Sequence, residues 1–173
     1  MADPSEDTAL IIPVRLPAAL ETLRRRCLPD AVGGLPAHVT LLYPFAKPDA
    51  LDGAVRTRLG GIVSSHAAFS LRLVGLARWP EVLYASVEPE EPVRALYADL
   101  LSAFPEFPSS GGRFEFVPHV SVAVGPAADD PENARDPAWQ SLPASRSVSR
   151  ADLIVRGPTR WVVKWSFPLG RPI

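Results

Sequence analysis

The feature that constrains this chain most is a repeated one. Pro36-Ala37-His38-Val39-Thr40-Leu41 and Val117-Pro118-His119-Val120-Ser121-Val122 each set a histidine, a valine and a hydroxyl in a row within a run of strand formers, and the two histidines lie 81 positions apart. In a strand, residues i and i+2 share a face. His38 and Thr40 therefore point one way and Val39 the other, toward a core; His119, Ser121 and Val120 do the same. If the two segments face each other, two imidazoles and two hydroxyls line one cleft.

The elements around each tripeptide also repeat in outline. Thr8 to Val14 is a short apolar run that reads as a strand, with Pro13 near its end. Pro17 suits the first turn of a helix whose inward residues are Leu20, Leu23 and Cys27, with Glu21, Arg24 and Arg25 on the wet side. His38 to Tyr43 is the second strand. Asp49 is placed to cap a helix with the stripe Leu51, Val55, Leu59 and Ile62, weakened toward its end by Gly60-Gly61. Phe69 to Leu76 and Val82 to Val87 follow as strands around a turn at Trp79-Pro80-Glu81. Pro92 then opens the most regular helix, with Val93, Leu96, Tyr97, Leu100, Leu101 and Phe104 at helical spacing. A Pro/Ser/Gly-rich loop leads to the strand His119 to Val124. Residues 126–143 are turn-rich, with one short helix expected near Trp139. Val148 to Val155 and Trp161 to Phe167 read as a closing hairpin across Gly157-Pro158. Trp161 and Trp165, at i and i+4, fall on one face of the last strand. This order predicts an α+β protein with antiparallel sheets, helices on their outer faces and an internal duplication.

Composition narrows the function. Eighteen basic and nineteen acidic side chains leave a formal charge of −1, which argues against tight non-specific nucleic-acid binding, since that affinity comes from cations neutralising phosphates. Cys27 is the only cysteine, so no internal disulfide forms and a core thiol is the natural reading. The acidic start Met1-Ala-Asp-Pro-Ser-Glu-Asp7 is not followed by a long apolar segment, and no apolar run is long enough to span a bilayer. A cytoplasmic protein is expected, monomeric for want of an exposed apolar stripe.

Two histidines and two hydroxyls suit phosphodiester chemistry. One neutral imidazole takes a proton from the attacking oxygen, and a protonated one gives a proton to the leaving oxygen. Thr40 and Ser121 would donate to the non-bridging phosphate oxygens, where charge builds. An unperturbed histidine, with a pKa of about 6.5, serves either role near neutrality. His66 sits in Ser64-Ser65-His66-Ala67 without the pattern and reads as a surface residue.

With these residues in view, the chain resembles the two-histidine phosphoesterases, whose bacterial members are called RNA 2′,3′-cyclic phosphodiesterases or 2′-5′ RNA ligases. Pro36 to Phe45 looks like the first motif of that family and Phe116 to Ala123 like the second. The resemblance implies a bilobal fold with a pseudo-twofold axis, its two antiparallel sheets facing a central cleft with helices outside. The lobes would span about 8–76 and 82–169 of a single domain, with 1–7 disordered. It implies metal-free, cofactor-free hydrolysis or transesterification of 2′,3′-cyclic phosphates or 2′-5′ linkages in RNA ends or small nucleotides. His38 and His119 map to the catalytic histidines, and Thr40 and Ser121 to the phosphate-binding hydroxyls. Two departures stand out: Ser121 in place of the commoner threonine, and Ala123-Val124-Gly125 where many relatives carry a basic residue. Arg78, Arg113 and Lys47 are the loop candidates for meeting the phosphate charge; Tyr43, Phe45, Trp79 and Tyr84 are candidates to stack a base. Rival readings are a metal enzyme, disfavoured because neither motif has carboxylate or histidine ligands at suitable spacing; a binding module for a cyclic nucleotide or phosphorylated metabolite; and a two-histidine enzyme recruited to a non-nucleotide substrate.

Overall fold

A computed structural model describes residues 7–171. The segment expected to be disordered, 1–7, lies outside the described residues apart from Asp7. That residue is fixed by a hydrogen bond from the Arg156 amide to its carbonyl and one from the Tyr43 hydroxyl to its carboxylate. In chain order the elements are β1 (Thr8–Pro13), α1 (Ala18–Cys27), α2 (Pro29–Val32), β2 (His38–Leu42), α3 (Gly53–Ser65), β3 (Phe69–Trp79), β4 (Val82–Glu88), α4 (Glu91–Ala103), β5 (His119–Val124), α5 (Pro126–Asp129), α6 (Pro131–Ala134), β6 (Ala144–Val148), β7 (Arg150–Arg156) and β8 (Trp161–Pro168).

All eight strands join one antiparallel sheet in the order β6-β3-β4-β5-β2-β1-β7-β8. The α+β class with antiparallel strands is as the sequence predicts, but two separate sheets are not formed. β2 and β5 pair at Val39–Val120 and fuse the halves into one curled sheet. Two four-stranded sheets would leave β5 and β2 as edge strands with unpaired backbone groups, which their pairing brings together. The two halves of the sheet, β6-β3-β4-β5 and β2-β1-β7-β8, do not coincide with the contiguous segments 8–76 and 82–169. β3 is tied to β4 by the tight turn at Pro80-Glu81, and β7 returns to pair with β1.

Alternation along the strands sorts the core. Leu10, Ile12, Val39, Leu41, Val120 and Val122 are buried on one face, covered by helices: α1 contacts β5, α4 contacts β2 and α3 contacts β8. The central strands are thus supported from behind by the helix of the opposite half. On the other face a smaller cluster forms from Ala9, Ile11, Ile154 and Trp161, with Leu35 at its edge.

Three local expectations differ from the structure. Arg24, placed on the wet side, is 1% exposed. Its guanidinium donates to the Leu35 carbonyl (2.8 Å) and to Glu21 (3.0 Å), which offsets its burial in part, the Nε remaining without a partner. The cap of α3 is Asp52, whose carboxylate accepts from the Val55 amide (2.9 Å); Asp49 sits in a separate 3-10 turn, Pro48–Ala50. Gly60-Gly61 lies toward the end of α3, as expected, with Gly60 against the Phe167 ring. Finally, a bulge makes Leu153 oppose Trp165 while Ile154 opposes Val163. One extra residue flips the alternation, so Trp161 joins the small cluster and Trp165 packs on the main core.

Candidate active site

Everything in the site follows from the pairing of Val39 with Val120. Both valines are fully buried, and directly opposed residues of an antiparallel pair share a face. Their neighbours His38, Thr40, His119 and Ser121 therefore all stand on the opposite face, half-buried. Continuing the register sets His38 across from Ser121 and Thr40 across from His119. The two histidines are diagonal neighbours on the sheet, at about 7–8 Å between backbones. That leaves room for a tetrahedral group between the rings. A local twofold through the valine pair relates one half of the site to the other.

The two rings are held in the same way. The Nδ1 atoms of His38 and His119 lie 2.7 and 2.8 Å from the carbonyls of Pro36 and Val117, each two residues back. A carbonyl only accepts, so this contact assigns the proton of the neutral ring to Nδ1 and leaves the Nε2 lone pair for a ligand. One residue further back the likeness continues. Arg24 of α1 donates to the Leu35 carbonyl (2.8 Å), and Arg94 of α4 donates to the Phe116 carbonyl (2.6 Å). Each arginine is braced by a glutamate on its own helix or cap, Glu21 at 3.0 Å and Glu90 at 2.7 Å. Two helices thus grip the two backbone segments that aim the histidines. No sequence signal marked this, because Arg24 precedes its histidine by 14 positions and Arg94 by 25.

Burial shapes the electrostatics. His38 is lowered to about 4, chiefly by burial, with the positive charge of Arg24 and the neighbouring His119 adding to the effect; the bond to Pro36 works the other way. Burial also lowers His119, opposed by its bond to Val117. Both rings therefore lie below the ordinary imidazole value and rest neutral at neutral pH.

The flanking candidates divide. Trp79 and Tyr84 stand beside His119. Tyr84 is opposite Ser121 on β4, the Trp79 ring is 4.8 Å from the His119 ring and nearly perpendicular to it, and Trp79 and Tyr84 are 4.2 Å apart. Ser86 stands opposite His119, a neighbour that sequence reasoning missed. Tyr43 lies at the exposed rim beyond β2, bonded to Asp7. Phe45 is a correction: it is 5% exposed, in the core against Phe104 and Phe107, and offers no stacking surface. Arg78 opposes the core residue Leu83 and leans 3.9 Å from Asp129, so alternation turns it away from the histidines. Arg113 is exposed in the loop after α4, with its Nε on the Ser110 carbonyl. Lys47 is exposed past the end of β2 remote from His38. His66 bonds Asp99 (2.8 Å), outside the site. Among the described residues no group of three metal-ligating side chains is gathered, and no helix is long and apolar enough to cross a membrane.

Known proteins agree with this architecture. TT0787 of Thermus thermophilus superposes with a TM-score of 0.64 at 20% identity, over 96% of this chain and 100% of that one. Escherichia coli LigT, in its complex with 3′-AMP, gives 0.56 at 18% identity, over 96% and 99%. Kluyveromyces marxianus Usb1 gives 0.50 at 16%, again over 96% and 99%. No curated protein sequence aligns significantly with the chain. At these identities the superpositions speak for the fold alone. The sequence pattern of one family spans residues 12–160, enclosing both tripeptides and the strands that bring them together, and by that match the chain belongs to the 2′-5′ RNA ligase superfamily.

Proposed function

We propose that this protein is a metal-independent phosphoesterase that opens 2′,3′-cyclic phosphates, or cleaves 2′-5′ phosphodiesters, at RNA ends or in small nucleotides. The observation that carries the reading is the set of His38, Thr40, His119 and Ser121 on one face about the Val39–Val120 pair, with each Nδ1 tied to the backbone so that each Nε2 is available. LigT has been crystallised with ATP and with NADP+ as well as with 3′-AMP, which supports a small phosphate-bearing nucleotide as the ligand class here.

The chemistry balances with these residues alone. The phosphate lies between the imidazoles, its non-bridging oxygens accepting from Thr40 and Ser121. One neutral Nε2 takes a proton from water as the water oxygen bonds to phosphorus. The P–O bond to the 2′ or 3′ oxygen breaks, and that oxygen receives a proton from the other imidazole. Because both rings are neutral in the free protein, the acid's proton is taken up from solvent as the substrate binds: the monoanionic phosphodiester between the rings raises the imidazole pKa and one ring becomes protonated. Trp79 and Tyr84 form the aromatic wall beside His119 and receive the base of the terminal nucleoside.

The test is turnover of a panel of nucleoside 2′,3′-cyclic phosphates and a 2′-5′ linked dinucleotide, with and without EDTA. Hydrolysis of at least one member at an unchanged rate in EDTA is expected. A rate abolished by EDTA and restored by added metal contradicts the mechanism, and no turnover of any member contradicts the substrate class.

A further inference from the structure

Two surface grooves open beside the corresponding helices α1 and α4, and their charges differ. One, of about 840 Å³, opens where β1 leads into α1; Arg15, Arg146 and Arg150 line it with a single acidic residue, Glu21. Its counterpart, of about 770 Å³, opens where β4 leads into α4; there Arg72 and Arg94 meet Glu88, Glu90 and Glu91. Three cations against one anion face two against three. Glu21 is moreover engaged by Arg24, as Arg72 is by Glu88 and Arg94 by Glu90. By these side chains the first groove is net positive and the second net negative.

Arg150 connects the basic groove to the histidines. Alternation with the core residues Ala151 and Leu153 sets it on the histidine-bearing face, together with Asp152 and Ile154. Pro13 is the cross-strand partner of His38, the Pro36 carbonyl holds the His38 ring, and both prolines line the groove beside Arg150. His38, Pro13 and Arg150 follow one line across three strands, spanning two strand spacings or about 10 Å. Arg150 is anchored: its Nε donates to both oxygens of Asp152 (3.1 and 3.2 Å), a carboxylate 3% exposed that also accepts from Ser166 (2.7 Å). Anchoring through Nε leaves the terminal nitrogens at the outer end of a fixed fork, the geometry that grips phosphate. The matching line through His119 leads to Ser86 and then to Gly75, whose carbonyl accepts from that serine (3.3 Å) and which carries no side chain.

We infer that Arg150, with Arg15 and Arg146, forms a second phosphate subsite, so that the preferred substrate carries at least one phosphate besides the scissile one and leads it out over the His38 half. This rests on the phosphoesterase reading above and gives the substrate a direction: terminal nucleoside toward Trp79 and His119, further phosphate toward Arg150. It also answers the missing basic residue after the second tripeptide, since charge is supplied from β7 instead of from β5.

The experiment compares kcat/KM for three substrates at low and high salt: a nucleoside 2′,3′-cyclic phosphate, the same nucleotide with a 5′-phosphate, and a trinucleotide ending in a 2′,3′-cyclic phosphate. The wild type is expected to favour the substrates with additional phosphate by about tenfold at low salt, and less as salt rises. Whether the 5′-phosphate alone earns the preference, or only the trinucleotide does, identifies which phosphate the subsite holds. Arg150→Glu is expected to reduce the preference to about twofold or less, and so is Arg15→Glu, whose exposed side chain keeps folding out of the comparison. Glu91→Lys, in the counterpart groove, keeps it. A wild type that turns over the bare mononucleotide without preference, or charge reversals that leave the preference intact, overturns the subsite while the phosphoesterase reading stands. Failure to turn over any cyclic phosphate removes both.

Discussion

At the residue scale the decisive facts concern protons. His38, at about 4 in the folded protein against an ordinary value near 6.5, is neutral when folded and gains a proton more readily when unfolded. Its contribution to stability is therefore complete above about pH 6.5 and drains away as pH falls toward 4. Urea denaturation at pH 7.5 and 4.5 is expected to show the wild type losing on the order of 2 kcal/mol more than His38→Gln over that interval. An equal loss in both proteins contradicts the burial of a neutral ring. Ligand binding carries the opposite sign: phosphate raises the ring pKa, so binding takes up a proton. Calorimetry of a nucleoside monophosphate in two buffers of different ionisation enthalpy is expected to register uptake at pH 7, and affinity to weaken as pH rises. Arg24 adds a further case. Arg24→Met removes the grip on the Leu35 carbonyl and a charge that depresses His38. About a tenfold loss in kcat with KM little changed is expected, together with an upward move of the acid limb of the kcat/KM profile and partial recovery in Arg24→Lys. A loss of thermal stability without any move of that limb reduces Arg24 to a packing role. The histidines and their hydroxyls were legible in the sequence because alternation acts over two residues. The grip of Arg24 was not, since helical spacing assigned a charged side chain to water and said nothing of a carbonyl eleven residues on.

At the element scale the sequence was most informative where periodicity ran long. The stripe of α4, from Val93 to Phe104, matched the helix Glu91–Ala103, and both tripeptides lie on the strands expected of them. It was least informative where one residue changes a parity. The bulge in β8 separated Trp161 from Trp165, and the polar stretch before Val148 concealed β6, whose residues Ala144 to Ser147 have no strong apolar alternation and form a strand only because β3 supplies partners. Asp49 and Asp52 are both fit to cap a helix; Asp52 does so because Pro48–Ala50 closes its own turn first. Asp52→Ala is accordingly expected to cost about 1 kcal/mol in stability, seen as a lower Tm with kcat unaffected, whereas Asp49→Ala is expected to leave Tm nearly unchanged. Equal effects from the two substitutions contradict the cap assignment.

At the scale of the whole molecule, the duplicated order of elements was visible but its geometry was not. Which strands pair is a long-range matter, and the sequence divides the chain in the middle while the sheet weaves β3 into one half and β7 and β8 into the other. The consequence for function is that the two histidines meet across a short strand pairing supported from behind by α1 and α4, each reaching under the opposite half. Neither half of the chain holds both histidines, so in the proposed mechanism they act as a single catalytic unit. Groups that act as a unit show strongly non-additive losses. The most direct test is kcat on a 2′,3′-cyclic nucleotide for His38→Ala, His119→Ala and the double variant. Each single substitution is expected to cost at least about 10²-fold, and the double no more than a fewfold beyond the worse single. Near-normal turnover in either single variant, or a double loss equal to the product of the two, contradicts the paired mechanism.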